Sequence, residues 1–272
     1  MEFRTIVDIS RLGFEIQPCE ELLFVGSCFA DSIGRRFREE GFPVTVNPYG
    51  TMYNPASVLH TIERCQVVPR IVFITLGTNH VYRLKESGEI VDNCQKRPQS
   101  LFQEEVLTVD ACADYLAKAV DVLRSRRPDV HVVFTVSPIR YRKYGYHESQ
   151  LSKATLLLAV DRLLMNAGIP ISKAQLDYFP AYELVLDELR DYRFYAADML
   201  HPSQQAVDYI WERLVEVCFS SSAKAFLDEW RPLRQALGHK PFNPDSAEYK
   251  ALMDKTMLKV AELRKKYPTF AL

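Results

Sequence analysis

Short apolar runs alternate with longer amphipathic segments through the first two thirds of the chain. The runs predict four buried strands, which cover residues 22–25, 42–46, 71–76 and 130–136. The segments with apolar residues three or four positions apart predict helices over residues 30–40, 109–124 and 152–166, and Ala167-Gly168 ends the last of these. Strands that are apolar on both sides and alternate with helices are typical of a parallel sheet covered by helices on both faces, with right-handed crossovers.

The C-terminal part of the chain shows a different pattern, because two amphipathic segments follow each other there without an intervening strand. They predict helices over 223–237 and 247–266, separated by the Pro- and Asn-containing stretch 240–244. We therefore expect an α/β domain over residues 1–220 and a helical extension over residues 221–272 that packs on the same domain. An oligomer interface formed by these helices is the alternative.

Composition narrows the class of protein further. The chain has 272 residues, of which 47% are hydrophobic and 25% charged, and its formal net charge is −1. This composition is typical of a folded globular protein, and the balanced charge gives no overall attraction to nucleic acid. No apolar stretch approaches the ~18 residues that span a bilayer. The N-terminus has no basic region followed by an apolar run, which predicts a soluble cytoplasmic protein without a signal peptide.

The spacing of reactive residues indicates neither metal nor nucleotide chemistry. The six cysteines lie far apart and form no Cys-x-x-Cys pair, so we expect free thiols in a reducing compartment. The histidines show no His-Glu-x-x-His spacing, and the stretch from Gly26 to Gly34 lacks the Gly-Lys-Ser/Thr ending of a phosphate-binding loop. We therefore expect no metal and no cofactor.

A serine follows the first predicted strand at the start of a predicted helix, in the segment Gly26-Ser27-Cys28-Phe29-Ala30. In a parallel sheet, ligands collect beyond the carboxyl ends of the strands, and helix N–H groups there favour a developing negative charge. Ser27 is therefore a candidate nucleophile, although a helix N-cap is the more common role of such a serine. Cys28 is an alternative nucleophile, which ranks lower because the partners described below suit a serine.

Two further loops at the same edge carry hydrogen-bond donors. The loop 47–50 can expose the backbone N–H of Gly50, and the loop 76–80 offers the side-chain amide of Asn79. Donors in such positions hold the oxyanion of a tetrahedral intermediate. A turn glycine and a turn-forming asparagine are the alternatives, because both residues are common in turns without any catalytic role.

An Asp-x-x-His sequence lies ahead of the last predicted helix of the α/β domain. His201 can act as the general base for a serine hydroxyl, and Asp198 can fold back to accept the proton on Nδ1 and fix the tautomer. Pro202 suits the first turn of this helix, which we predict over residues 203–217. The spacing alone is a weak signal, but a serine, two donors and this pair in chain order have no common structural explanation.

These residues lie in segments that resemble the GSCFA family, whose name is spelled by Gly26-Ser27-Cys28-Phe29-Ala30. Further segments that resemble it are 47–55, 137–140, 179–183 and 187–202. The resemblance covers roughly residues 1–245. It implies a fold like that of the SGNH, or GDSL-like, hydrolases, which is a flavodoxin-like three-layer α/β/α sandwich with a parallel sheet.

The resemblance also implies roles by position. Ser27 matches the nucleophile of SGNH hydrolases, and Asp198 and His201 match the Asp-x-x-His of their last sequence block. Gly50 and Asn79 match the glycine and asparagine that form the oxyanion hole together with the backbone N–H of the serine. One departure is that the usual Gly-Asp-Ser opening is absent here, because glycine precedes Ser27 directly.

The sequence thus predicts a serine esterase or acyl hydrolase with a Ser-His-Asp triad and no cofactor, acting on a small-molecule or glycan ester. By analogy with the family we expect an O-acetylated carbohydrate. Candidates for substrate binding are Asn54, Arg140 and His147, the last two in a basic, aromatic loop after the fourth predicted strand. A solvated loop is the alternative there. The rival from another class is a non-catalytic ligand-binding module that keeps the fold.

Overall fold

The three inner strands of the central sheet are buried on both faces, because nearly all of their side chains are apolar and successive ones point to opposite faces. In the computed structural model, which describes residues 4–92, 94, 97–166 and 175–272, this sheet has five parallel strands. They are β1 (Leu22–Gly26), β2 (Val44–Val46), β3 (Ile71–Leu76), β7 (His131–Val136) and β8 (Leu176–Tyr178). Their order is β2-β1-β3-β7-β8, which is the 2-1-3-4-5 order of a flavodoxin-like sheet, so the predicted fold class is confirmed.

The helices complete the three layers. They are α1 (Cys28–Glu39), α2 (Pro55–Arg64), α3 (Val109–Arg126), α4 (Gly145–Asn166), α5 (Ala181–Glu183), α6 (Gln204–Cys218), α7 (Ser221–Gly238) and α8 (Ala247–Lys266). Leu22 and Phe24 of β1 pack in one core with α1 and α6, whereas Leu23 and Val25 pack in a second core with α2, α3 and α4. The alternation of side chains along a strand therefore builds both layers around the sheet.

The two C-terminal helices join the core that contains α1. Phe226 and Trp230 of α7 are buried there, and the indole N–H of Trp230 donates to the carbonyl of Glu39 at 3.1 Å. Gly41 makes this packing close, since a Cβ on it would lie 2.2 Å from the ring of Phe270, and its φ is +82°. A side chain at this position would therefore separate the helical extension from the end of α1.

A second, smaller sheet is inserted between β3 and α3. Its antiparallel strands are β4 (His80–Leu84), β5 (Ile90–Val91) and β6 (Phe102–Val106), in the order β5-β4-β6. The register sets Tyr82 opposite Glu104 and His80 opposite Val106. Because β4 begins a few residues after β3 ends, the small sheet lies beyond the carboxyl end of β3. The hydrophobic pattern predicted no strand here, and it also missed α2 and β8.

Several predicted boundaries are wrong in ways that matter for the site. Helix α4 begins at Gly145 instead of residue 152, so His147 belongs to a helix and not to a loop. Pro202 lies outside the first turn of α6, because Ser203 is the N-cap and accepts a hydrogen bond from the N–H of Ala206. The predicted helix end at Ala167-Gly168 lies outside the described residues. Across the described part of the chain, no helix is long and apolar enough to cross a membrane.

Candidate active site

Ser27 lies in the turn between β1 and α1 and is the N-cap of α1. Its backbone is extended, and its side chain accepts a hydrogen bond from the N–H of Phe29 at 3.3 Å. Gly26 precedes it at φ +140°, where a Cβ would lie 2.0 Å from the carbonyl oxygen of Thr75, so the turn requires glycine. The turn therefore sets the Ser27 hydroxyl at the positive end of a helix dipole.

The Ser27 hydroxyl is buried and has a partner at the end of β3. It lies 3.1 Å from the Thr75 hydroxyl, and the residue is 2% exposed. The Ser27 backbone N–H donates to both the carbonyl and the hydroxyl of Thr75, each at 2.9 Å. Attack on a substrate would therefore require the side chain to turn away from Thr75, which is a change between staggered rotamers.

Asp198 and His201 form a hydrogen-bonded pair ahead of α6. The Asp198 Oδ2 lies 2.6 Å from the His201 Nδ1, and Oδ1 accepts from the backbone N–H groups of His201 and Leu200 at 3.0 and 2.9 Å. These backbone hydrogen bonds, together with the bond to the His201 ring, lower the pKa of the Asp198 carboxyl to about 2. An ionised carboxylate at Nδ1 keeps the proton there in the neutral ring and leaves the lone pair on Nε2.

Arg140 holds the loop that carries this pair. Its Nη1 donates to the carbonyl of Met199 at 3.1 Å, and its backbone N–H donates to the carbonyl of Leu200 at 3.0 Å. Met199 is in the left-handed region at φ +59°, an uncommon conformation for a residue other than glycine. The guanidinium also packs 4.0 Å from the ring centre of Tyr146. In the structure Arg140 thus supports the His201 loop, and a contact of Arg140 with substrate stays a prediction.

The serine and the His–Asp pair lie at the same edge of the sheet. Ser27 follows β1, while the loop of His201 is bonded to Arg140, four residues beyond the end of β7. Only β3 separates β1 from β7, and neighbouring strands are about 4.8 Å apart. Within the described residues, no hydrogen bond joins Ser27 to His201. The structure therefore brings Asp198 and His201 into contact, and leaves the hydroxyl of Ser27 with Thr75.

The predicted oxyanion donors all have protein acceptors. The N–H of Gly50 donates to the carbonyl of Asn47 at 2.9 Å, in an exposed turn where Gly50 has φ +98°. The amide of Asn79 is buried and donates to the carbonyl of Leu107 at 2.7 Å. One of its two amide hydrogens remains, because a single hydrogen serves Leu107. The oxyanion role of these groups stays a prediction.

The remaining candidates occupy separate places around this edge. Cys28 is partly exposed, and its Sγ lies 3.4 Å from the hydroxyl of Tyr53. Asn54 is the N-cap of α2, where its side-chain oxygen accepts from the N–H of Ser57 at 2.9 Å. His147 is exposed in the first turn of α4. Asn54 also lines the cavity that is described next.

A cavity of about 490 Å³ lies between the small sheet and the loops at the carboxyl edge. Lys143 of the predicted basic, aromatic loop lines it, and lining residues that were not predicted include Tyr53, Thr78, His80, Tyr82, Glu104 and Tyr141. The volume lies within the range of small-molecule sites. Thr78 and His80 flank Asn79 on alternate positions, so a strand pattern in the sequence could have placed both on one face. The partner of His80, Glu104, depends on the register of β4 and β6 and had no sequence signal.

Metal ligands are not grouped in the part of the chain that the structure describes. No set of three or more His, Cys, Asp or Glu side chains is placed there to hold an ion. The six cysteines are all free thiols.

Comparison with sequence families gives two matches. The GSCFA family matches residues 21–69 and 65–214 of the chain. The GSCFA domain protein, C-terminal domain, matches residues 230–272. A search of curated proteins finds no sequence that matches.

Comparison with solved structures finds distant similarities. A member of the lipolytic protein G-D-S-L family from Veillonella parvula is 14% identical over 72% of this chain and 97% of its own, with a TM-score of 0.46. A carbohydrate esterase family 3 protein from Talaromyces cellulolyticus is 12% identical over 77% of this chain and 99% of its own, with a TM-score of 0.44. Similarity at this distance says nothing about the substrate of this chain.

Proposed function

The chain belongs to the GSCFA family, and from this premise we propose that it is a serine ester hydrolase whose nucleophile is Ser27. The observation that carries the proposal is the bonded pair of Asp198 and His201 at the same sheet edge as Ser27. A histidine held by an ionised carboxylate is the general base that a serine hydroxyl needs, because the hydroxyl alone is a weak nucleophile at neutral pH.

In the proposed reaction, Nε2 of His201 takes the proton of the Ser27 hydroxyl as Oγ attacks the ester carbonyl. Asp198 stabilises the imidazolium that forms, and the imidazolium then gives its proton to the leaving alcohol. Water hydrolyses the acyl-enzyme by the same steps. Before attack, the Ser27 side chain would have to rotate away from the Thr75 hydroxyl that it now contacts.

The tetrahedral oxyanion would be held by the backbone N–H groups of Ser27 and Gly50 and by the side-chain amide of Asn79. The backbone N–H groups of Ser27 and Gly50 now bind protein carbonyls, so each would have to exchange its acceptor for the substrate oxygen. Asn79 needs the least change, because its second amide hydrogen is available. Catalytic hydrogen bonds are often loose before substrate binds, so this arrangement is compatible with an enzyme at rest.

We propose that the substrate is an ester of a polyol, and that it belongs to the class of O-acetylated carbohydrates. Aromatic and polar side chains of the cavity beside the small sheet support this choice, and Tyr53, Tyr141 and Lys143 are among them. Aromatic rings pack against the C–H faces of a sugar ring, and polar groups between them bind its hydroxyls.

A ligand-binding module without chemistry is the second candidate function. The burial of Ser27 and its bonds to Thr75 favour it, because a hydroxyl in this state is shielded from a substrate. The two candidates make opposite predictions for the turnover of any ester.

The test is the hydrolysis of 4-nitrophenyl acetate by the wild-type chain and by the Ser27→Ala variant. We expect Ser27→Ala to lower kcat by roughly 10³-fold or more, since removal of the nucleophile leaves only residual rate enhancement from other donors. Circular dichroism checks that the variant is folded. Equal rates for the two proteins would reject the mechanism.

The adjacent thiol supplies a matched control. Cys28→Ala removes a nucleophilic atom one residue from Ser27 and in contact with Tyr53. We expect this variant to keep the wild-type kcat within about twofold, because the thiol takes no part in the proposed reaction. A loss of activity in Cys28→Ala with activity retained in Ser27→Ala would instead assign the chemistry to the cysteine.

A further inference from the structure

The cavity beside the small sheet begins next to the proposed nucleophile. Thr78 lines it, and its neighbour Gly77 lies so close to Ser27 that a Cβ on Gly77 would be 3.4 Å from the Ser27 Cβ. Tyr53 lines the cavity as well, and its hydroxyl contacts Cys28. A substrate whose ester group reaches Ser27 therefore has its remaining part directed towards this cavity.

A row of rings runs from Tyr53 into the cavity. The ring of Tyr53 is 6.5 Å from that of Tyr141, which is 5.4 Å from that of Tyr144. Tyr144 in turn stacks on His80 with ring centres 4.0 Å apart and an angle of 10° between the planes. Rings in such a row present apolar faces to a ligand and carry hydroxyls and nitrogens at their edges.

His80 is fixed by a carboxylate as well as by this stacking. Its Nδ1 lies 3.1 Å from Oε1 of Glu104, which also accepts from the hydroxyl of Tyr82 at 3.2 Å. The side chain is 9% exposed, and no described residue bonds to its Nε2. A carboxylate at Nδ1 fixes the ring orientation, so Nε2 is a directed hydrogen-bonding atom in the cavity wall.

The charges around the cavity cancel. Two acidic and two basic side chains line it, and they are Asp92, Glu104, Arg97 and Lys143. Lys143 lies 3.9 Å from Glu104 and donates to the hydroxyls of Tyr82 and Tyr144, while Asp92 is bonded to Arg64 at 2.7 Å. A neutral, hydrogen-bonding and aromatic site is suited to an uncharged ligand that is rich in hydroxyls.

We propose that this cavity binds the alcohol portion of the substrate, a sugar ring, and that Nε2 of His80 forms a hydrogen bond with one of its hydroxyls. The inference rests on the proposed ester hydrolysis for its link to Ser27. His80 is here a specificity residue, and Glu104 is a positioning residue that acts through it.

The kinetic test compares a sugar ester with an ester that does not need the cavity. His80→Phe keeps a ring against Tyr144 and removes both nitrogens. We expect kcat/KM for methyl 6-O-acetyl-β-D-glucopyranoside to fall about tenfold, through KM, because one hydrogen bond to bound substrate is lost. Turnover of 4-nitrophenyl acetate should change by less than about twofold. The control His239→Phe, at an exposed position after α7, should change neither reaction.

Glu104→Gln is the second variant, since it preserves size and is the milder change to the fold. It should raise KM for the sugar ester by less than His80→Phe does and leave kcat unchanged, because the amide still reaches His80 but no longer fixes its tautomer. Equal changes of the two esters in either variant, or no change in KM for the sugar ester, would overturn the proposal.

A binding measurement separates this proposal from the proposed function. Saturation-transfer NMR of methyl β-D-glucopyranoside with Ser27→Ala should show binding that is lost in Ser27→Ala/His80→Phe. If binding of the glycoside depended on His80 and the wild-type protein hydrolysed no ester, the sugar subsite would stand and the hydrolase would be rejected. Hydrolysis of 4-nitrophenyl acetate without any binding of the glycoside would reject the subsite alone.

Discussion

Two histidines near the carboxyl edge of the sheet are each bonded to a carboxylate through Nδ1, and their surroundings differ. His201 and Asp198 lie on a loop with 44% of each side chain exposed, and their atoms are 2.6 Å apart. His80 and Glu104 lie on neighbouring strands, 3.1 Å apart, with the ring stacked on Tyr144. A histidine–carboxylate pair thus lies on an exposed loop in the first case and in a cavity wall in the second.

The difference indicates different uses for the two pairs. Asp198 accepts two backbone N–H groups, which keeps it charged and able to stabilise an imidazolium. Glu104 shares its charge with Tyr82 and Lys143, and the His80 ring is fixed between neighbours. A general base must gain and lose a proton during each turnover, whereas a binding group gains from a fixed orientation. We therefore assign proton transfer to His201 and recognition to His80.

Removal of the His201 ring should have the largest effect, and it tests whether the two histidines have the proposed roles. His201→Ala should lower kcat for 4-nitrophenyl acetate by roughly 10⁴-fold or more, because the proposed reaction has no other general base for the proton of Ser27. The release of 4-nitrophenol would measure the rate, and a thermal melt would show whether the variant is folded. If instead His80→Phe abolished this reaction and His201→Ala spared it, the two assignments would have to be exchanged.

Asp198→Asn should have the next largest effect. The amide keeps most of the geometry but no longer stabilises the imidazolium, so kcat should fall by roughly 10³-fold to 10⁴-fold with little change in KM. Because the pKa of Asp198 is about 2, the wild-type carboxylate stays ionised throughout the usual assay range, and its titration should not shape the pH–rate profile above pH 4. Glu104→Gln, assayed on the same ester, is the matched control and should keep the wild-type kcat.

Lys153 lies beside the segment that connects β3 to β4, and its substitution gives the smallest of the expected effects. Its Nζ donates to the carbonyl of Gly77 at 2.7 Å, and burial lowers the pKa of its ammonium to about 7. Between pH 7 and about 10.5 the unfolded chain binds a proton here and the folded chain does not, so the stability of the fold rises with pH across this window.

Lys153→Met should remove that rise, because the variant has no proton to exchange. Urea unfolding of both proteins at pH 7 and pH 9.5 measures the gap in free energy of unfolding between the wild type and the variant. We expect this gap to change in favour of the wild type as the pH rises. A gap that is the same at both pH values would show that Lys153 is charged in the folded protein across the range.

The parts of this molecule that sequence could predict are those with local causes. Ile71–Leu76 is apolar at every position except Thr75, which indicates a strand buried on both faces. Asp198 and His201 are three residues apart, so a single turn closes their hydrogen bond and the pairing follows from the local chain. The N-cap role of Ser27 likewise needs only its own turn and the helix that follows.

The parts that escaped prediction depend on contacts between distant segments. Strand β5 has only two residues, and β4 is half exposed, so neither carries a clear apolar run. His80 meets Glu104 only through the register of β4 against β6, a separation of 24 residues. The signals for α2 were local and were missed, with Asn54 as N-cap and Pro55 in the first turn.

The central claim is that Ser27 is a nucleophile activated by His201, and covalent labelling tests it most directly. A fluorophosphonate probe should modify the wild-type protein, and peptide mass spectrometry should locate the adduct on Ser27. The adduct should be absent from His201→Ala, which keeps the hydroxyl but lacks the base. An adduct at another residue, equal labelling of His201→Ala, or no adduct under conditions that label a known serine esterase would contradict the account.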